Sequence, residues 1–245
     1  MASYIVAAAY WICDRSMRTW QTIRSTTLPR HSHQESYAAL VLSGAYEEAG
    51  DQGRFHVEAG DVILHDCFEA HLNRFSVSGA RVLNLLLSPS HSFKPGVGRV
   101  DDLDLVVCTA ERDRAEAASL LLRMIEQRTP PCADWPEELA AVMIQNPSLG
   151  LSFWARQKGL PPWVVSRGFA KVFSISAKAF RARARARCAW RAIQVTREPL
   201  AKIAAHYGFA DQSHMTRSVI QLTGMAPQAW RTAANRFKTR NGVCE

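Results

Sequence analysis

Two segments of the chain, Ala155–Arg181 and Ala204–Arg231, repeat one another, which restricts the C-terminal half to two copies of one supersecondary unit. Ala155 and Gly159 recur 49 residues later as Ala204 and Gly208. After a one-residue insertion, Arg167, Val172, Phe180 and Arg181 recur 50 residues later as Arg217, Leu222, Trp230 and Arg231. Between the copies, Ala177–Val195 combines strong helix formers with alternating arginines (Arg181, Arg183, Arg185, Arg187, and then Arg191). A connecting helix of roughly 18 residues and about 27 Å is expected there. The arginines read as a phosphate clamp or as the solvated face of that helix. The second reading is favoured, because a helix spreads alternating residues around its axis.

The second copy has helix-turn-helix grammar. Pro199–Tyr207 reads as a short helix with proline in its first turn, where the missing amide costs nothing, and with Leu200, Ile203 and Ala204 on its apolar side. Gly208 supplies a tight turn, Phe209 plugs the angle between helices, and Asp211 is placed to cap the next helix. Met215, Val219 and Leu222 then fall at i, i+4 and i+7 and face the core, leaving Gln212, Ser213, Thr216 and Arg217 on the opposite side. Glutamine pairs with adenine edges, arginine with guanine or phosphate, and serine and threonine with either. Gly224 ends that helix, and Pro227 begins a last one carrying Trp230 and Arg231.

Charge separates the halves. Residues 1–132 carry 13 Lys and Arg against 16 Asp and Glu, a net −3, whereas residues 133–245 carry 17 against 6, a net +11. A basic half suits a polyanion, and its pairing with a mildly acidic half points to a second task elsewhere in the chain. No run reaches the roughly 18 uncharged apolar residues that span a bilayer, and Met1–Arg15 lacks the pattern of a secretory signal, so no membrane partner and a cytoplasmic location are expected. The six cysteines (Cys13, Cys67, Cys108, Cys132, Cys188, Cys244) include no C-x-x-C pair, and reduced thiols are expected.

The run from Pro199 through Gly208-Phe209-Ala210-Asp211-Gln212-Ser213 to Arg217, continuing to Thr223-Gly224-Met225-Ala226-Pro227-Gln228-Ala229-Trp230-Arg231, resembles the signature of AraC/XylS-type regulators. The resemblance is closest over 150–235 and looser over 1–100. It implies a DNA-binding transcriptional regulator, with double-stranded DNA and RNA polymerase as partners and no catalytic residues. It also implies that Trp163, Ser166 and Arg167 of the first unit enter the major groove, and Lys171 joins that DNA-facing set. A connecting helix of this length would hold two reading helices about one DNA turn, roughly 34 Å, apart. Three departures set the first unit apart. Pro161-Pro162 stands where a Ser-Pro start is usual, Ser174 replaces the closing glycine, and Ala170 lies where lysine is common. The missing cap is worth about 1 kcal/mol. The first unit is therefore expected to bind more weakly, or to be less ordered, than the second.

Residues from about Tyr4 to Leu87 read as short strands. The runs Ala38–Leu42, Asp61–Leu64 and Arg81–Leu87 are punctuated by turn signals at Ser43-Gly44, Gly50-Asp51 and Ala59-Gly60-Asp61. His31 and His33, two apart before a strand, project to one side. His71, a turn beyond Gly60–Leu64, makes the region similar to a cupin, the sensory domain common in the same regulators. Three roles for His31, His33 and His71 stay open: ligands of a divalent metal, contacts for a small-molecule effector, or structural histidines. Against metal, Glu35 comes too early for a cupin carboxylate, and the usual proline and glycine are absent at Asp66 and Phe68. No resident cofactor is therefore expected. His65 and Cys67 are further candidate ligands. Glu111–Arg128 reads as one amphipathic helix whose stripe of Leu121, Met124 and Ile125 packs on the barrel or pairs with a second copy in a homodimer. Pro130-Pro131 must interrupt it.

The expected architecture is thus a two-domain α+β protein. Residues 1–107 form a cupin-like antiparallel β-barrel for effector sensing, 108–132 a helical linker, 133–236 an all-α domain of two helix-turn-helix units joined by a helix, and 237–245 a tail. Two other classes fit less well: a metal-dependent cupin enzyme with a DNA-binding tail, and an architectural DNA binder without an effector.

Overall fold

A computed structural model describes residues 13–14, 18–128 and 134–240, so the Pro130-Pro131 break and the last five residues of the expected tail lie outside the described residues. The chain divides into two compact units, one of residues up to Glu138 and one of most residues from Leu139 onward.

The first unit is built on one sheet of nine strands: β1 (Cys13–Asp14), β2 (Trp20–Ile23), β3 (Thr27–His33), β4 (Tyr37–Gly50), β5 (Gly53–Glu58), β6 (Asp61–His65), β7 (Ala70–Leu86), β8 (Gly96–Arg99) and β9 (Glu126–Arg128). The two long strands, β4 and β7, pair from Tyr37↔Leu86 to Gly50↔His71. Each also pairs with different partners along its length. The first part of β4 takes β6 and the second takes β5, while β7 takes β3 and then β2.

This exchange of partners requires a sharp bend, and Ser43-Gly44 supplies it. The sequence marks that dipeptide as a turn, but β4 runs through it as a bulge, with register shifts on both sides. Gly44 (φ +77°) sits so close to Gly79 that a Cβ would lie 2.0 Å from the Gly79 carbonyl oxygen, and Gly79 (φ +69°) approaches Ile23 just as closely. A side chain at either position would separate the strands.

The expected closed barrel does not form. The sheet path runs β1-β3-β7-β4-β6-β8-β9, and among the described residues no ladder joins its two ends. Those ends are strands of two and three residues. Both ends border residues outside the described set, and within it the sheet bends through the partner exchange of β4 and β7 at the bulge instead of continuing in one register.

Both faces of the sheet are buried, which explains why Ala38–Leu42 is a continuous apolar run instead of an alternating one. Ala38, Leu40, Val62, Leu64, Leu83 and Leu85 pack on one face beneath Val106, Ala110, Ala117, Ala118 and Leu121. Tyr37, Ala39, Val41, Tyr46, Phe55, Ile63 and Val82 pack on the other. The covering helices are α1 (Leu103–Arg112) and α2 (Arg114–Met124). They replace the single helix expected over Glu111–Arg128. Asp113 adopts an extended conformation (φ −146°) and its carboxylate accepts from the Ala115 and Glu116 amides, so it ends one helix and caps the next. After Ile125 the chain turns extended and Glu126–Arg128 joins the sheet as β9. The stripe of Leu121, Met124 and Ile125 packs against the sheet, the first of its two expected roles.

The second unit contains α3 (Trp135–Gln145) from Leu139 on, α4 (Leu151–Gln157), α5 (Pro162–Phe173) up to Lys171, α6 (Ala177–Val195), α7 (Leu200–His206), α8 (Gln212–Thr223) and α9 (Pro227–Arg240). The connecting helix α6 has the expected limits, and its 19 residues give a length of about 28 Å. It is buried on several sides, through Phe180, Ala184, Ala186, Ala189, Trp190 and Ile193. No described helix is long and apolar enough to cross a membrane.

Candidate DNA interface and histidine cavity

The two helical hairpins repeat bond for bond at their turns. In the second, the Gly208 amide donates to the Ala205 carbonyl (3.0 Å) and the Phe209 amide to the Ala204 carbonyl (2.9 Å). In the first, Gly159 donates to Arg156 (3.1 Å) and Leu160 to Ala155 (2.9 Å). Both glycines take the left-handed conformation that turns the chain, with φ of +71° and +65°.

A second repeated bond closes each unit. The Arg181 guanidinium donates to the Leu149 carbonyl at 2.6 Å, and the Arg231 guanidinium donates to the Glu198 carbonyl at 2.7 Å. Leu149 and Glu198 each stand two residues before the first helix of their unit. The helix following each reading helix is thereby fastened to the start of the same unit. This accounts for the recurrence of Arg181 as Arg231.

Of the other connecting-helix arginines, Arg183, Arg185 and Arg187 do not form the expected solvated face. Arg183 and Arg187 are buried, and Arg185 donates to the Pro147 carbonyl at 3.2 Å with its guanidinium 5.6 Å from the Phe209 ring centre. Only Arg191 of this set is exposed. Because α6 runs through the middle of its unit, most of its circumference meets protein and its long cations hold loop carbonyls.

The two reading helices, α5 and α8, are amphipathic as the spacing requires. Met215, Val219 and Leu222 are buried in the second hairpin, and Val165 and Phe169 in the first. On the outer side of α8, Gln212, Ser213 and Arg217 are exposed and Thr216 is half-buried. On α5, Trp163 is 63% exposed, and Ser166, Arg167 and Lys171 are exposed.

The ends of these helices differ. Asp211 caps α8 by accepting from the His214 amide at 2.7 Å, whereas α5 begins after Pro161, whose side chain has no acceptor. Gly224 closes α8 at φ +75°, whereas the position after α5 is Ser174 at φ +52°. A residue with a Cβ pays about 1 kcal/mol for that left-handed conformation.

Residues 154–233 match a family model described as a helix-turn-helix domain. Solved structures to which the chain shows similarity include the C-terminal domain of AraT, a response regulator from Geobacillus stearothermophilus, at 18% identity over 41% of this chain and 86% of that one (TM-score 0.38). ToxT from Vibrio cholerae is 10% identical over 88% of this chain and 98% of that one (TM-score 0.41). The C-terminal domain of the response regulator yesN from Fusobacterium nucleatum is 19% identical over 40% and 99% (TM-score 0.37). A comparison with curated proteins found no match. The second unit thus contains a helix-turn-helix DNA-binding domain.

In the first unit, cross-strand pairing assembles a cluster of polar side chains. His31 is directly opposite His71 across β3 and β7, Tyr37 is opposite His65 across β4 and β6, and Glu48 is opposite Asn73 across β4 and β7. The His71 ring centre is 4.5 Å from those of His31 and His65 and 5.7 Å from that of His33. Tyr37 stacks on His65 at 4.5 Å, and its hydroxyl lies 3.3 Å from His71 Nε2. Asn73 donates to Glu48 Oε2 at 3.0 Å. These groups border a cavity of about 100 Å³.

Burial dominates the electrostatics of the cavity. It raises the Glu48 carboxyl to about 8; the Asn73 hydrogen bond and Arg30 work against this rise, and Glu69 adds to it. Burial likewise holds His71 well below the usual histidine range, helped by His65, His31, His33 and Arg30.

The structure therefore brings together His31, His33 and His71 as the sequence suggests. It adds His65, a lesser candidate, and places Cys67 beside Ser36 at 3.2 Å, away from the cavity lining. Tyr37, Glu48 and Asn73 were missed. The one available signal was the acid pair Glu47-Glu48 inside a strand, and nothing local says that Glu48 is the buried one.

Proposed function

We propose that the chain is a sequence-specific regulator in which the first unit senses a small ligand in the histidine cavity, and the second reads two neighbouring major-groove segments through α5 and α8. The observation that carries the sensing half is the cavity itself, where buried Glu48, His65, His71 and Asn73 converge on about 100 Å³. A scaffold that needed only stability would fill such a space with apolar side chains. The volume lies far below the roughly 300–1,000 Å³ of sites for drug-sized molecules, so the ligand is small.

The DNA-reading half rests on the outward sets Gln212, Ser213, Thr216 and Arg217, and Trp163, Ser166, Arg167 and Lys171. The connecting helix, 19 residues and about 28 Å long, has a length on the scale of one DNA turn, roughly 34 Å. Pairing of two copies and contact with RNA polymerase belong to the same reading. Light scattering across concentration tests the pairing.

The decisive experiment maps bound sites genome-wide and then measures affinity for a bound site and a scrambled one at one fixed salt concentration. A preference of roughly 1,000-fold or more is expected for a specific regulator. Equal affinity for both duplexes would overturn the reading.

A further inference from the structure

We propose that the ligand of the cavity is a single divalent transition-metal ion held by Glu48, His65 and His71. This rests on the reading of the first unit as a sensor and names the class of what it senses. The three side chains are all buried, and each offers a donor atom within 4.8 Å of the others'.

Their spacing fits coordination better than hydrogen bonding. His65 Nε2 lies 3.6 Å from Glu48 Oε2, beyond a good hydrogen bond. Two donors about 2.1 Å from a tetrahedral ion lie roughly 3.4 Å apart. His71 Nδ1 is buried and has no hydrogen-bond partner among the described residues, although this ring's Nε2 faces the Tyr37 hydroxyl. A buried ring nitrogen without a partner costs free energy, which a bound cation removes.

The surroundings also suit an ion. Asn73 holds Glu48 Oε2 at 3.0 Å, a second interaction that orients the carboxylate. The neighbouring positive charge of Arg30 is engaged by Asp51 at 2.6 Å. Two imidazoles and one carboxylate are borderline donors, suited to zinc, cobalt, nickel or iron(II) and poorly suited to calcium or magnesium. His31 and His33 are half-buried and share His71 with the triad in a second donor group. They stand on the more exposed side, where an ion would first meet the protein.

The test uses the full chain, purified without a histidine tag, stripped with a chelator and titrated with Co²⁺ alone and Zn²⁺ alone. Binding is read by the Co²⁺ visible spectrum and by competition with a chromogenic chelator. One equivalent should bind, with the absorption of a four- or five-coordinate nitrogen and oxygen site. Glu48→Gln and His65→Asn should each weaken binding by roughly 100-fold, and the double variant His31→Asn/His33→Asn by less than about tenfold. Circular dichroism and DNA affinity of the stripped variants show that they are folded.

No bound ion in the wild-type chain overturns the proposal, as does a double variant that loses more affinity than either single one. Affinity for a genomic site is measured with and without Zn²⁺ in parallel. DNA binding without ion binding removes the metal and leaves the regulator. Ion binding that leaves DNA affinity unchanged keeps the metal and removes its sensory role.

Discussion

The two helix-turn-helix units share their turns and their closing arginines, yet differ at both ends of the reading helix. In the second unit a carboxylate satisfies an amide at the start of α8, and a glycine takes the left-handed position at its end. In the first hairpin Pro161 offers no side-chain acceptor at the start, and a serine is forced into the left-handed position at the end. The hairpin is thus preserved where it sets the angle between helices, and relaxed where it sets the stability of the helix proposed to meet DNA. Affinity can then be concentrated in one unit while the other adjusts to its sequence.

The comparison breaks most directly at the DNA contacts. Arg217→Ala should lose about 2 kcal/mol of binding at fixed salt, and Arg167→Ala about half as much, within the range for a base-contacting arginine. Fluorescence anisotropy on one bound site measures both, and equal losses would remove the asymmetry.

Next in size is the cap. Asp211→Ala should cost about 1 kcal/mol of stability in urea unfolding, because the His214 amide loses its acceptor. The smallest effect has the opposite sign. Ser174→Gly should stabilise the chain by roughly 0.5–1 kcal/mol and raise the affinity of the first unit for DNA, because glycine takes a positive φ without steric cost. A destabilised Ser174→Gly protein would show that the serine side chain contributes more than its strain costs.

Much of the second unit was legible in the sequence because its signals are local. The turn glycines, the Asp211 cap, the Met215, Val219 and Leu222 stripe and the limits of α6 all depend on neighbours within a few residues. The burial of Arg183 and Arg187 was not legible, since it depends on helices far along the chain covering α6. In the first unit, the strands and the grouping of His31, His33 and His71 could be read from turn residues and alternation. Glu48 and Tyr37 could not, because a buried acid and a core tyrosine acquire their partners only through ladders between distant strands. The break at Asp113 was hidden by helical periodicity that continues across it. Ser43-Gly44 shows the converse error: a local turn signal was absorbed into a bulge because β7 continues the ladder beside it.

The closing arginines carry a consequence for how such a domain can change. Every side chain proposed to read DNA in one hairpin lies between the two ends of a single fastening, Leu149 to Arg181 in one case and Glu198 to Arg231 in the other. Each unit is therefore a self-contained cassette. Transplanting the outward residues of one reading helix onto the other would exchange their sequence preferences while both fastenings stay closed, which gives evolution, or an experimenter, a route to new operators by recombination within one chain.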